Sequence, residues 1–231
     1  MSQRPRVTFY YDVVSPWTRI ALEIIKRYQP VWNLDIVYRP VIIAQLFSFA
    51  GIKAPILTPV RGPFTWTQDL VRTSEYYSVT IRRPPNFPFN TTLPQLFLRH
   101  LSDHPSADQR ARHVPAMEAC FARIWTQNLP LSTPDDIFDC LHPLWKDGEH
   151  EALRQMIAAS GTKEMKEHFR SEIKVLVEKG GAFGLPWIVV EIDGHSSSWW
   201  GSDRFEQIAA YLGVEWKGPY PDGRRQKISR L

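Results

Sequence analysis

Residues 7–40 read VTFYYDVVSPWTRIALEIIKRYQPVWNLDIVYRP and contain a strand, a helix and a second strand. The β-branched and aromatic run at the start of this stretch is typical of a strand. Apolar residues then recur every three or four positions over 17–28, which predicts an amphipathic helix with Ser15 at its N-cap and Pro16 at its first position. Residues 34–39 predict the second strand. Two strands joined by a helix indicate a parallel pair with a right-handed crossover.

The C-terminal part of the chain returns to strand patterns. Residues 186–192 (PWIVVEI) form an apolar run typical of a buried strand, and residues 195–200 are predicted to be its partner. Asp193-Gly194 between them predicts a type I′ hairpin turn. Ser202-Asp203 then predicts the cap of a last helix, which ends at Gly213.

The residues between these two parts, 42–179, show helical periodicity interrupted by proline-containing loops. Thr133 and Thr162 are predicted N-caps within this block. Without the block, the element order is that of thioredoxin. The sequence therefore predicts an α/β fold of the DsbA-like type, in which a thioredoxin-like domain of residues 1–41 and 180–231 is interrupted by an all-helical insertion of residues 42–179.

The composition is that of a globular protein. Of 231 residues, 43% are hydrophobic and 23% are charged, which excludes a wholly disordered or fibrous chain. No apolar run approaches the ~18 residues that a membrane-spanning helix needs. The formal net charge of +4 arises in residues 217–231, and the rest of the chain holds equal numbers of acidic and basic residues. This balance argues against a nucleic-acid-binding surface.

The chain has two cysteines, Cys120 and Cys140, which form no C-x-x-C motif. A disulfide framework is therefore excluded, a zinc site is not expected, and a reducing compartment is favoured. Cys120 falls on the apolar face of a predicted helix and is expected in the core. His100 and His104 share a helical face, but no third residue with suitable spacing completes a metal site.

Ser15 and Thr18 stand where thioredoxin-like proteins carry the two cysteines of C-x-x-C. Dithiol chemistry is excluded at this position because no thiolate is available. The hydroxyl and the free N–H groups of a helix N-terminus favour an anion, so a bound thiol would be stabilised here as its thiolate. The alternative interpretation is that Ser15 serves only as an N-cap.

Two further motifs could complete a ligand site. Leu185-Pro186 precedes a strand where this fold places a cis-proline, and the backbone of Leu185 could then pair with an extended peptide; alternatively, Pro186 simply begins the strand. In GSDR (201–204), Ser202 and backbone N–H groups suit a carboxylate and Asp203 suits an ammonium group. The alternative for GSDR is a capping box between Asp203 and Glu206.

Taken in order, these motifs resemble those of kappa-class glutathione transferases over nearly the whole chain. The matching stretches are FYYDVVSP (9–16), RYQPVWN (27–33), Arg39-Pro40, GAFGLP (181–186), 189–194, GSDR (201–204) and Lys217-Gly218-Pro219. GAFGLP combined with GSDR at this separation is specific, whereas each motif alone is weak. The resemblance implies a DsbA-like fold, a homodimer, and glutathione as the cosubstrate without a metal.

The resemblance also implies roles for individual residues. It assigns thiol stabilisation to Ser15, backbone pairing to Leu185 beside cis-Pro186, and the γ-glutamyl end of glutathione to Ser202 and Asp203. A further glutathione-binding position is Arg61, where the family usually has lysine; arginine keeps the charge but changes the geometry.

Two other positions depart from the family pattern. Trp17-Thr18-Arg19 replaces the usual Tyr-Ser-Trp, and Ile52 stands where the family usually has an asparagine near the thiol. An apolar side chain cannot donate the amide hydrogen bond that asparagine would supply.

The favoured function is glutathione transfer, in which the bound thiolate attacks an apolar electrophile. Two alternatives stay open: a glutathione-dependent isomerase resembling 2-hydroxychromene-2-carboxylate isomerase, and a glutathione-binding protein without turnover, which Ile52 makes plausible. Trp17, Phe64 and Trp66 are candidates for the acceptor pocket, or else core or dimer contacts.

The last three residues, Ser229-Arg230-Leu231, resemble the S-K-L peroxisomal address. We therefore expect an import receptor as a partner and the peroxisome as the location. No apolar signal-peptide core or cleavable mitochondrial presequence is visible near the first residues. Because kappa-class members occur in mitochondria and peroxisomes, the mitochondrion and the cytoplasm are the alternatives.

Overall fold

The computed structural model describes residues 4–224, which form four strands and eleven α-helices. The strands are β1 (Arg6–Tyr11), β2 (Asp35–Pro40), β3 (Trp187–Ile192) and β4 (His195–Trp200). The helices are α1 (Pro16–Tyr28), α2 (Ile43–Ala50), α3 (Arg61–Phe64), α4 (Leu70–Tyr77), α5 (Thr92–Asp103), α6 (Ala107–Ala111), α7 (His113–Trp125), α8 (Pro134–Leu141), α9 (His150–Ser160), α10 (Lys163–Glu178) and α11 (Phe205–Leu212). None of the helices in this part of the chain is long and apolar enough to cross a bilayer.

The strands form one sheet in the order β2-β1-β3-β4. β1 and β2 are parallel, while β3 is antiparallel to both β1 and β4. The register pairs Tyr11 with Pro40, Tyr10 with Trp187, and Trp187 with Trp200. The carboxyl ends of β1, β2 and β4 therefore lie at the same edge of the sheet as the start of β3. This edge brings together segments that are far apart in sequence.

One face of the sheet packs in the larger core. Its buried residues include Val7, Phe9 and Tyr11 of β1 and Ile188 and Val190 of β3, in one cluster with side chains of α1, α7 and α11. The 3.6-residue periodicity that predicted the first helix is thus explained, because its apolar stripe covers this face.

The opposite face packs in a second core. Trp187 of β3 is buried there with Leu46 of α2 and with Phe169 and Ile173 of α10. α10 belongs to the helical block, yet it shares a core with the sheet. The predicted domain boundaries at residues 41 and 180 remain a prediction.

Local capping and turn signals predicted several element ends correctly. The side-chain hydroxyls of Ser15, Thr133 and Thr162 each accept a backbone N–H in the first turn of their helices. Asp193 and Gly194 have φ angles of 50° and 77°, as a type I′ hairpin requires. These signals depend on short-range chemistry, which explains why they can be recognised in sequence.

Candidate active site

Ser15 is the N-cap of α1 and lies just past the carboxyl end of β1. Its Oγ accepts the backbone N–H of Thr18 at 3.2 Å, and only 4% of the residue is exposed. A serine hydroxyl can accept this bond and still donate its own proton. The capping and anion-stabilising interpretations of Ser15 are therefore compatible.

The first turn of α1 offers a backbone donor beside this hydroxyl. Pro16 has no N–H, the N–H of Thr18 is bound by Ser15, and the N–H of Arg19 donates to the Ser15 carbonyl at 3.1 Å. The N–H of Trp17 is the one that neither the cap nor the helix satisfies. No acidic side chain lies in this turn, so no carboxylate of the helix itself offsets its positive dipole end.

Asp12, which the sequence analysis did not single out, holds the loop that leads to Ser15. It is fully buried, and Oδ1 accepts the Val14 N–H at 3.0 Å and the Thr91 hydroxyl at 2.9 Å, while Oδ2 accepts the Ile43 N–H at 2.8 Å. Burial raises the pKa of Asp12 to about 6, although these three hydrogen bonds oppose the shift. The carboxylate thus ties the Ser15 loop to the starts of α2 and α5.

Two other buried side chains support the same loop. Gln95 Nε2 donates to the carbonyls of Tyr11 and Val41, each at 2.8 Å, and Trp125 Nε1 donates to the Val13 carbonyl at 2.8 Å. Both donors come from the helical block, at sequence separations of 54 to 112 residues. The backbone before Ser15 is therefore fixed from several elements.

The Leu185–Pro186 peptide bond is cis, as predicted. The Pro186 carbonyl accepts the Gly201 N–H at 3.1 Å, which joins this loop to the one that follows β4. Leu185 precedes β3, and within residues 4–224 no hydrogen bond occupies its backbone N–H or carbonyl. Only 4% of Leu185 is exposed, but the hydrogen-bonding capacity of these backbone groups is unused and could pair with an extended ligand.

The prediction that Ser202-Asp203 caps the last helix is wrong. α11 begins at Phe205 with Arg204 at its N-cap, and no side chain caps it, so the capping box with Glu206 does not form. The chain first passes through Gly201 at φ 111°, a conformation that favours glycine, and a turn then delays the helix.

Ser202 and Asp203 are consequently presented by a loop. Ser202 is buried, whereas the Asp203 side chain is 64% exposed and its carboxylate pairs with Arg204 Nη1 at 2.8 Å. Because this loop follows β4, it lies at the same edge of the sheet as Ser15 and Leu185.

The other predicted residues are less constrained. Arg61 is exposed at the first position of α3. Because α3 does not directly follow a strand, the strand pairing that brings Ser15, Leu185 and Asp203 to one edge of the sheet does not place Arg61 there. Ile52 follows the end of α2 and is 40% exposed. An apolar side chain therefore stands in solvent where the family pattern has an amide.

The aromatic candidates for the acceptor pocket occupy different environments. Trp17 packs against the larger core, Trp66 stacks on Trp125 with ring centroids 6.4 Å apart, and Phe64 is 48% exposed. Trp17 lies two residues after Ser15, whereas Trp66 reaches the Ser15 loop only through Trp125, which donates to the Val13 carbonyl. Among residues 4–224, no cluster of three or more His, Cys, Asp or Glu side chains could hold a metal ion.

Comparison with known proteins identifies the family. The family model of the DSBA-like thioredoxin domain matches residues 6–213. Glutathione S-transferase kappa 1 of Homo sapiens is 30% identical over 230 residues, which cover 96% of this chain and 97% of the human protein. The chain belongs to the kappa class of glutathione S-transferases. Proteins of the same name from Rattus norvegicus and Caenorhabditis elegans are 27% and 26% identical, over 96% and 99% of this kappa-class chain and 97% and 100% of their own lengths.

Solved structures agree with the fold of a kappa-class chain. A 2-hydroxychromene-2-carboxylate isomerase superimposes with a TM-score of 0.67 at 20% identity, covering 90% of this chain and 94% of its own. A cytosolic disulfide reductase from Pseudomonas aeruginosa gives a TM-score of 0.56 at 15% identity, with 90% and 92% covered. These identities show the fold alone, and they confirm the predicted DsbA-like thioredoxin fold.

The kappa-class site can stabilise an anion but cannot exchange a disulfide at the position of C-x-x-C. Ser15 and Thr18 replace both sulfur atoms, and the side chain of Thr18 is fully buried. What remains is a hydroxyl proton, one backbone N–H and a helix dipole. This set of groups is suited to a thiolate that belongs to a ligand.

Proposed function

We propose that the protein binds glutathione across the edge of the sheet and joins it through its sulfur to an apolar electrophile. The observation that carries the proposal is the position of Ser15, at the edge where the Leu185 and Asp203 loops also lie. Its hydroxyl caps α1, and within residues 4–224 its proton has no acceptor. The kappa-class relatives, which are named as glutathione S-transferases, support glutathione as the cosubstrate.

Each part of glutathione has a matching group. The cysteinyl backbone pairs with the free N–H and carbonyl of Leu185, as an added strand would. The α-carboxylate of the γ-glutamyl end accepts hydrogen bonds from Ser202 and the loop N–H groups, and the α-ammonium group pairs with Asp203. Arg61 supplies a cation for the remaining carboxylate.

The reaction follows from stabilisation of the thiolate. A free thiol has a pKa of about 8.5, and each pKa unit of lowering corresponds to about 1.4 kcal/mol in favour of the thiolate. The hydroxyl of Ser15 and the N–H of Trp17 donate to the sulfur, so that it is ionised near neutral pH. The thiolate then attacks the electrophile and either displaces its leaving group or adds across its polarised double bond, and the conjugate leaves without any covalent bond to the protein.

The electrophile is expected beside the half-buried indole of Trp66, with Phe64 and Trp17 as further apolar neighbours. An apolar aromatic wall favours an apolar acceptor.

The test measures turnover and glutathione consumption together. Wild type and Ser15→Ala are mixed with glutathione and a panel of apolar electrophiles, and conjugate and remaining glutathione are quantified. Transfer consumes one glutathione for each conjugate, and Ser15→Ala should lose most of the rate while binding is retained. Product formed without net consumption of glutathione would indicate the isomerase alternative. Binding without any turnover would indicate a glutathione-binding protein.

We also propose that the protein is a homodimer, as the kappa-class resemblance implies. Light scattering of the purified chain tests this, and a monomer mass at working concentration contradicts it.

Peroxisomal import through Ser229-Arg230-Leu231 is a separate proposal, and these residues lie outside the described part of the chain. A fluorescent protein fused at the N-terminus should give a punctate peroxisomal signal that is lost when the tripeptide is deleted. An unchanged diffuse or mitochondrial pattern would contradict it.

A further inference from the structure

The two cysteines of the chain lie side by side in the contact between α7 and α8. Cys120 is buried on α7, and Cys140 is half-buried on α8. Cys140 packs against the core cluster that contains Cys120, and the hydrogen-bonding interaction between the two thiols is the largest influence on the pKa of each. Twenty residues of sequence and a loop separate the two, so their spacing gave no indication of this pair.

The same helix faces carry an ion pair. Arg123 lies three residues after Cys120, and Asp136 lies four residues before Cys140, so each belongs to the same face of its helix as the cysteine. Arg123 Nη2 lies 3.5 Å from Asp136 Oδ1, and its Nε donates to the Pro130 carbonyl at 2.6 Å. The guanidinium is therefore held beside the two sulfur atoms.

This environment makes the two thiols unequal. The hydrogen bond from Cys120 and the charge of Arg123 lower the pKa of Cys140, although burial opposes the shift. The hydrogen bond with Cys140 and complete burial raise the pKa of Cys120 well above its ordinary value. Cys140 is thus both the more exposed and the more readily ionised sulfur, and a thiolate is the reactive form.

We propose that Cys140 and Cys120 are a redox-active pair, which glutathione disulfide converts to an intramolecular disulfide. The Cys140 thiolate attacks one sulfur of glutathione disulfide, so a mixed disulfide forms and one glutathione thiolate leaves. The Sγ of Cys120 then attacks the Sγ of Cys140, and the second glutathione leaves as a thiol that carries the proton of Cys120. In sum, two protein thiols are oxidised and one glutathione disulfide is reduced to two glutathione molecules.

This modification site uses none of the residues proposed to bind glutathione. It also differs from the C-x-x-C position of the fold, which Ser15 and Thr18 occupy. The pair is expected to be reduced in a reducing compartment and to oxidise when the fraction of glutathione disulfide rises.

The experiment needs no electrophile. Full-length protein is equilibrated without oxygen in glutathione buffers of increasing disulfide fraction, quenched with acid, alkylated with N-ethylmaleimide and weighed by mass spectrometry. The wild type should lose both alkylation sites together and two hydrogens. Digestion without reduction should then give one peptide pair that joins Cys120 to Cys140, a result that requires no variant.

Single variants separate the two steps. Cys120→Ser should accumulate one glutathionyl group on Cys140. Cys140→Ser should react more slowly by on the order of tenfold or more, because Cys120 is buried. Ser15→Ala should oxidise like the wild type even if it transfers no glutathione, which keeps this test independent of the proposed function.

Three results would overturn the inference. One is a wild type that retains two alkylatable thiols at the highest disulfide fraction. The second is a stable glutathionyl adduct with no peptide linking Cys120 to Cys140. The third is oxidation that requires Ser15.

Discussion

At the scale of single residues, Asp203 shows how a side chain becomes available to a ligand. Its position before an apolar run predicted a cap, yet the helix begins two residues later and leaves the carboxylate 64% exposed beside Arg204. A capping carboxylate would be occupied by backbone N–H groups. The observed one has only Arg204 as an ion-pair partner among residues 4–224.

Asp203→Ala should therefore weaken glutathione binding without unfolding the protein. Loss of a charge-assisted hydrogen bond costs about 1.5–3 kcal/mol, which is roughly a tenfold to hundredfold increase in Kd. Titration calorimetry measures it, with Arg204→Ala as the matched control, since that change frees the carboxylate and should not weaken binding. Equal affinity in wild type and Asp203→Ala would remove Asp203 from the site.

His113 is a residue whose burial makes stability depend on pH. Its Nε2 lies 2.8 Å from the Tyr11 hydroxyl, and burial lowers its pKa from 6.5 to about 4. The unfolded chain therefore binds this proton more readily than the folded one, so the contribution of His113 to stability is complete above pH 6.5 and is lost as pH falls toward 4. Asp12 acts in the opposite direction, because its raised pKa favours the folded state as pH falls from 6 to 3.8.

Comparing the pH dependence of stability in the wild type and in a His113 variant separates the effect of His113 from that of Asp12. His113→Gln keeps a hydrogen-bonding side chain beside Tyr11 but does not titrate. Between pH 7 and pH 5, the free energy of unfolding of the wild type should fall by about 2 kcal/mol relative to this variant, as ~1.4 kcal/mol per pKa unit implies. Parallel curves from urea unfolding would contradict the burial of a neutral histidine.

At the scale of elements, Asp12 joins three of them. Its hydrogen bonds reach the Ser15 loop, the first residue of α2 and Thr91 before α5. An aspartate after an apolar strand suggested nothing about these contacts, because two of the three partners are 31 and 79 residues away. Sequence patterns report short-range chemistry, and partners this distant become neighbours only in the folded chain.

Asp12→Ala should destabilise the protein by about 2–4 kcal/mol, since it leaves buried donors without acceptors. Asp12→Asn is the matched control, because it retains one acceptor oxygen and should cost less. Denaturant unfolding at pH 7 gives both values. If alanine and asparagine had the same small effect, the carboxylate would not be holding the loop.

Gly201 orients the Ser202–Asp203 loop that connects β4 to α11. Its φ is 111°, and a Cβ built there would lie 2.6 Å from Asp203 Oδ1. Gly201→Ala should therefore displace the carboxylate and lower glutathione affinity by about tenfold, with a stability cost of about 1–3 kcal/mol. The control for backbone strain alone is Gly194→Ala. Gly194 is a hairpin glycine with φ 77°, and a Cβ built there would meet no atom within 4 Å. The same loss of affinity in both variants would contradict a specific role for Gly201.

At the scale of the whole molecule, the sheet register creates the site. The helix caps, the hairpin turn and the interrupted thioredoxin order could be predicted, because each depends on neighbouring residues or on periodicity. The Asp12 contacts and the Cys120–Cys140 pair could not be predicted, because they arise from packing between elements. The start of the last helix was misplaced because Ser202-Asp203 satisfies a capping pattern that the turn at Gly201 overrides.

The measurement that most directly tests thiolate stabilisation at Ser15 is the pKa of glutathione bound to the protein, read from thiolate absorbance against pH. The wild type should hold the thiol pKa at least about one unit below its free value near 8.5. Ser15→Ala should raise it by roughly one unit, corresponding to ~1.4 kcal/mol, and Ser15→Thr, which keeps the hydroxyl, should restore most of the shift. A bound thiol pKa equal to the free value, or one that is the same in wild type and Ser15→Ala, would contradict the role assigned to Ser15.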